Sequence, residues 1–214
     1  MRIPILLSLI AGMVDLTGFL TLGMFTAHIT GNLVVVAALV VRGGQINPDQ
    51  ILALPVFMGA VAATWLIAKA SGRSGPSLMR RLLLIHFLLI TGVFVFSIIT
   101  KPSVDLHGLR ATIAAMIAVS AMACQFALLR LTLPRAPSTA VMTGNLTNVC
   151  LALMDRSCRT EPLLIRDTER TRGPLYVLVG FLAGAAVAAA GVDYLGDWSW
   201  SFPAVLAAVA LTSS

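Results

Sequence analysis

Six stretches of 17 to 20 residues carry almost no charge, and short charged segments separate them: 3–22, 51–68, 82–100, 111–129, 174–192 and 198–214. A helix of about 20 apolar residues covers the ~30 Å hydrocarbon core of a bilayer. Lipid offers no partner to a backbone N–H or C=O, so only helices and closed barrels cross it. Barrel strands would show period-2 alternation, and these runs show none. With 58% hydrophobic and 11% charged residues, the chain is an all-α, multi-pass membrane protein. The last run is short, and Asp15 is the only charge inside any of the six.

Between the first and second runs, and again between the fourth and fifth, the chain repeats itself. "TAHITGNL" at 26–33 returns as "TAVMTGNL" at 139–146, 113 positions later. Each copy opens an 11-residue apolar run, 31–41 and 144–154, closed by Arg42 and Asp155. Eleven residues make roughly 16 Å of helix, about half a bilayer. If both cross, the cations divide nine inside to six outside, hardly a bias. If both are re-entrant, only Arg42, Lys101 and Arg110 lie outside, and the other twelve of the fifteen Lys and Arg lie inside. That strong positive-inside pattern favours re-entry, six crossings, and cytoplasmic N- and C-termini. Tyr194, Trp198 and Trp200 then form an aromatic belt at the outer interface.

Three crossings in each half make the halves opposite in orientation. The expected architecture is therefore six transmembrane helices plus two re-entrant half-helices in an inverted 3+3 repeat. The first repeat covers 1–105 and the second 106–214, together forming one membrane domain. "VFMGAVAA" (56–63) and "VLVGFLAG" (177–184) add a weaker match, pairing Gly59 with Gly180 and Ala63 with Gly184. Small residues at four-residue spacing let helices approach closely in lipid.

Re-entrant backbone must be buried in protein or line a wet cavity. In each motif Thr30 or Thr143 can cap a helix, Gly31 or Gly144 permits a sharp turn, and Asn32 or Asn145 supplies donor and acceptor. A stretch from 23 to 29 in extended form would descend roughly 23 Å, to the midplane. Two inverted half-helix N-termini would then face each other there. Their free N–H groups and positive dipole ends suit an anion or an acceptor-rich solute. The bland alternative is a packing kink in two ordinary helices.

Asp15 reads either as a proton relay or solute contact, or as a structural hydrogen bond to a neighbouring helix. His28 replaces Val141 of the second copy and is a candidate to bond solute or exchange a proton with Asp15, or to be structural. Gln125 lies near the place equivalent to Asp15 and is a weaker pocket candidate. His86, in "LLLIHFLLI", reads as structural. Cys124, Cys150 and Cys158 show no ligand spacing, so neither a metal nor a cofactor is expected. The mixed-charge stretch 155–172 reads as a solvated linker, and "NLT" at 145–147 as an accidental sequon within the membrane.

"AGMVDLTGFLTLG" with its Gly-x-x-Asp, "HITGN" after it and the second T-G-x-L together resemble the YoaK-type family of bacterial inner-membrane proteins, whose domain has no assigned function. The resemblance covers most of the chain and implies a bacterial inner-membrane setting. Where that family commonly shows Gly-x-Gln-Asn, "ACQFA" (123–127) keeps Gln125 but has Phe126 in the Asn position.

The expected function is transport of a small molecule or ion, with a midplane site of Asp15, His28, Thr30, Gly31, Asn32, Gln125, Thr143, Gly144 and Asn145. A channel on the same architecture and a non-transporting assembly or lipid-binding protein are the rivals. No nucleophile–base pair is visible, so an enzyme is not expected. The net charge of +6 lies in arginines between spans, which points to topology and not to nucleic acid. Membrane lipids are the expected surroundings, and a homo-oligomer is compatible with this bundle.

Overall fold

The computed structural model describes residues 2–44, 47–72, 75–157 and 168–213, including their side chains except those of 155–157 and 168–171. Among these residues lie eight α-helices: α1 (Arg2–Leu22), α2 (Ile29–Arg42), α3 (Pro48–Ala70), α4 (Pro76–Thr100), α5 (Leu109–Thr132), α6 (Met142–Ser157), α7 (Thr168–Leu195) and α8 (Ser201–Thr212). Short 3-10 turns occupy Pro102–Val104 and Gly196–Trp200.

Local chemistry marks the boundaries. Proline opens α3 and α4, where its missing N–H needs no partner, and the Asn47 side chain accepts the Asp49 N–H at 3.1 Å. Gly43 ends α2 in the left-handed region at φ 67°. The linker expected over 155–172 lies largely outside the described residues, as does Cys158.

Five stretches are long and apolar enough to cross a membrane: Arg2–Leu22, Pro48–Ala70, Pro76–Thr100, Leu109–Thr132 and Arg172–Thr212. The last is one 41-residue run that takes in both 174–192 and 198–214, which sequence reading separates. The 3-10 turn at Gly196–Trp200 breaks it. At 14 and 16 residues, α2 and α6 would each extend only about 21–24 Å, less than a hydrocarbon core.

Helices α1 and α5 form the centre, with 67% of their apolar windows buried against 11% for α3. α1 packs on α7, α8 and α5, whereas α5 packs on α3, α4 and α1. α2 lies on α3, α6 on α7, and α4 on α8. Exchanging α1 with α5, α2 with α6, α3 with α7 and α4 with α8 returns these main packing pairs unchanged.

The α1–α7 contact is the tightest. A side chain at Gly12 would strike the Phe181 carbonyl, and one at Gly184 the Leu9 carbonyl. Gly180 lies against Ile5 and Ser8, and the Ser8 hydroxyl donates to the Val177 carbonyl. Small residues here let two backbones meet without lipid between them. Gly59, matched to Gly180 in sequence, does no such work: it is exposed, with open space around it.

Two further expectations resolve differently. His86 is structural, fully buried with its Nδ1 at 3.1 Å from the Ala121 carbonyl. Trp200 is no belt residue, because it is fully buried and donates to Thr21 Oγ1 at 3.2 Å, while Tyr194 and Trp198 are exposed.

Candidate functional site

The first motif closes on α1. Asp15 is 5% exposed, and its Oδ1 accepts the backbone N–H groups of Thr26 (3.0 Å), Ala27 (2.7 Å) and His28 (3.3 Å). Its Oδ2 meets His28 Nδ1, the one ion pair among the described residues. The Thr26 hydroxyl donates to the Val14 carbonyl at 2.9 Å. A carboxylate that gathers three N–H groups is well compensated for leaving water. Asp15 therefore holds the loop that starts α2.

That loop is curled, contrary to the extended descent expected for 23–29. Asn32, fully buried, donates to the Phe25 carbonyl at 2.7 Å and accepts the Phe25 N–H at 3.0 Å. The turn is made by Gly23 at φ 73°, not by Gly31, which is helical with the Phe25 ring beside it. Neither Thr30 nor Thr143 caps its helix. Both are exposed and lie inside α2 and α6, and His28 holds the N-cap position of α2 with no side-chain cap bond. Phe19 stacks on Phe25 (4.7 Å), and His28 meets Phe25 and Phe181 edge-on at 6.2 and 5.7 Å, so aromatic rings surround the clasp.

The second motif repeats the asparagine device. Asn145, 5% exposed, donates to the Ser138 carbonyl at 2.7 Å, seven residues back as in the first copy. Gln125 lies seven residues before the end of α5, as Asp15 lies seven before the end of α1. It is fully buried, and its Nε2 reaches the Leu7 carbonyl (2.9 Å) and Thr139 Oγ1 (3.4 Å), Thr139 being the repeat partner of Thr26. Its Oε1 has no partner among the described residues. A neutral amide thus occupies the counterpart of the carboxylate.

Here the molecule is open. A cavity of about 1510 Å³ is lined by Val141, Gly144, Asn145 and Asn148 of the motif, with Arg2, Arg130 and Arg135 around it. No residue of the first motif lines it. The first motif meets α1 at Asp15, and Gln125, which touches the second motif at Thr139, meets α1 at Leu7, eight residues or about 12 Å of helix away. Asp15, His28 and Asn32 come together, and so do Gln125, Thr139 and Asn145. The arginines and Asn148 lie outside both repeated octapeptides. Their signal in sequence is that Arg130 and Arg135 closely precede the second motif, while no cation lies between Arg2 and the first.

Among the described residues no cluster of His, Cys, Asp and Glu could hold a metal ion. Cys124 is buried and Cys150 exposed, both as free thiols.

Comparison with known proteins bears on the whole chain. No solved structure matches it. "UPF0700 transmembrane protein YoaK" of Bacillus subtilis (strain 168) is 35% identical over 95 residues, which cover 43% of this chain and 41% of that protein. The match thus spans less than half the length of the curated relative. The profile of the family described as "Protein of unknown function (DUF1275)" matches residues 3–213. With that match along almost its whole length, the chain belongs to the DUF1275 family, of YoaK type, as its Gly-x-x-Asp and T-G-N motifs suggested.

Proposed function

We propose that this chain is a secondary transporter of a small anionic solute in the bacterial inner membrane, built as an inverted 3+3 repeat and held here in its inward-facing form. Six crossings are supported by the ends of the helices. Gly173 at the start of α7 and Ser213 after α8 line the same cavity as Arg2 and Met79, so the chain returns to the end it left. Asp49 at the start of α3 accepts the Thr112 hydroxyl near the start of α5, while α1 meets the Pro102–Val104 turn that precedes α5. The chain between α1 and α3 thus leaves and rejoins one end, and the chain between α5 and α7 leaves and rejoins the other. In this reading α2 and α6 are the re-entrant pieces, and the arginine-lined end is cytoplasmic.

One observation carries the proposal. The same asparagine-closed loop occurs twice, sealed by Asp15, His28 and aromatic rings in one half and open to a basic cavity in the other. An inverted-repeat carrier that rocks between two such arrangements exposes its site to one side at a time. Protonation of Asp15 would remove the charge that gathers the N–H groups of 26–28, which gives a route to proton coupling.

Flux into proteoliposomes tests the reading. Saturable uptake of an organic or inorganic anion, driven by a proton gradient, is the expected result. Flux that rises linearly with concentration would make the protein a channel. Absence of any flux, with lipid alone stabilising the protein, would make it a non-transporting membrane protein.

A further inference from the structure

The two halves differ in what their loops hold. In the first, the N–H groups of residues 26–28 converge on a carboxylate. In the second, 139–141 are the corresponding residues, and among the described residues none of their N–H groups meets a carboxylate. Ala140 instead donates to Ser138 Oγ at 3.2 Å. The counterpart of Asp15 is the neutral Gln125.

Positive charge then gathers at the cavity. Arg2, Arg130 and Arg135 line the cavity beside this loop, and among the described residues none of the three has a hydrogen-bond or ion-pair partner. Three cations and the positive end of α6 around one concavity raise the local concentration of anions. Guanidinium groups match planar or tetrahedral oxyanions in shape as well as in charge. Asn148 is exposed at the wall and adds an uncharged donor.

We infer that the cavity beside the 138–145 loop, with Arg130 and Arg135, binds the carboxylate or phosphate group of a ligand, in the half whose loop has no carboxylate of its own. The inference deepens the transporter reading and rests on it for the ligand's being carried; the binding site itself stands on the geometry above.

The test is thermal unfolding of the full chain in neutral detergent, followed by tryptophan fluorescence. Sodium phosphate and sodium succinate are compared with sodium chloride at matched ionic strength, and short-chain phosphatidylglycerol supplies the lipid arm. Phosphate or succinate should raise the melting temperature in a saturable way, and chloride should not. Arg130→Gln and Arg135→Gln should each weaken binding at least about tenfold, while Arg42→Gln, at the far end of α2, leaves it unchanged. Asn148→Asp places a carboxylate at the exposed wall of the cavity and should weaken binding.

Stabilisation by phosphatidylglycerol, blocked by Arg130→Gln, with no response to the soluble ions, would keep the oxyanion site and assign it to a lipid head group. Equal responses to all salts, or responses indifferent to Arg130 and Arg135, would overturn the site. Oxyanion binding without flux would overturn the transporter reading alone. Flux of a neutral solute without oxyanion binding would overturn this inference alone.

Discussion

The side chain of Asn32 holds both polar groups of the Phe25 backbone, donating at 2.7 Å and accepting at 3.0 Å. Asn145 makes one backbone bond of the same kind, to the Ser138 carbonyl. The two copies of one motif should therefore differ in how much they stabilise the fold. Each net hydrogen bond is worth about 1 kcal/mol, more where a buried group is left alone. Asn32→Ala is expected to cost about 2 kcal/mol and Asn145→Ala about 1 kcal/mol, read from thermal or denaturant unfolding in detergent. Equal losses would mean that the asparagines act through something other than these loops.

Asp15 separates charge from shape. Asp15→Ala leaves the N–H groups of Thr26 and Ala27 buried without an acceptor, at about 1–3 kcal/mol for each. Asp15→Asn keeps an acceptor oxygen for them and gives up only the charge and the bond to His28. The alanine variant should unfold at a clearly lower temperature than the asparagine variant. In flux measurements Asp15→Asn should lose its dependence on the proton gradient while still binding phosphate or succinate at the other loop.

The glycines give a prediction with its own control. Gly12→Ala and Gly184→Ala each place a methyl group on a backbone carbonyl of the facing helix, which cannot rotate aside. Overpacking of this kind costs about 1–3 kcal/mol or more, so both variants should be poorly stable. Gly59→Ala meets open space within a helix and should be neutral or stabilising by up to about 1 kcal/mol. If all three behave alike, α1 and α7 do not pack as described.

What could be read from sequence follows from where the physics is local. Long apolar runs require helices in lipid whatever their neighbours, so the all-α class was legible, while α2 and α6, at 14 and 16 residues, are longer than the 11-residue runs that mark them in sequence. The 113-residue repeat was legible as well, and the structure gives both asparagines the same bond seven residues back. The roles of the motif residues were not. Thr30 and Gly31 carry the signature of a cap and a turn, yet the capping charge comes from Asp15 on another helix and the turn from Gly23. Only the tertiary fold sets that exchange. The gathering of Arg2, Arg130 and Arg135 likewise depends on helix ends far apart in the chain meeting at one end of the bundle.

Cysteine accessibility in intact cells tests the inversion itself. Cys124, Cys150 and Cys158 are first replaced by serine. Single cysteines are then placed at Ser71, Arg42 and Tyr194, with Tyr194 83% exposed beyond α7. A membrane-impermeant thiol reagent should label positions 42 and 194 from outside and position 71 only after the cells are opened. Thr30 in the first turn of α2 and Asn148 in the second turn of α6, both exposed, report on the starts of the two helices. In an inverted repeat these two starts face opposite sides. Position 148 in the basic cavity should then react only from the cytoplasm. Position 30 should stay slow from either side until the clasp opens, so Asp15→Asn should raise its labelling from outside. Labelling of position 42 from the cytoplasm would mean that α2 crosses the membrane, and the two halves would then have the same orientation.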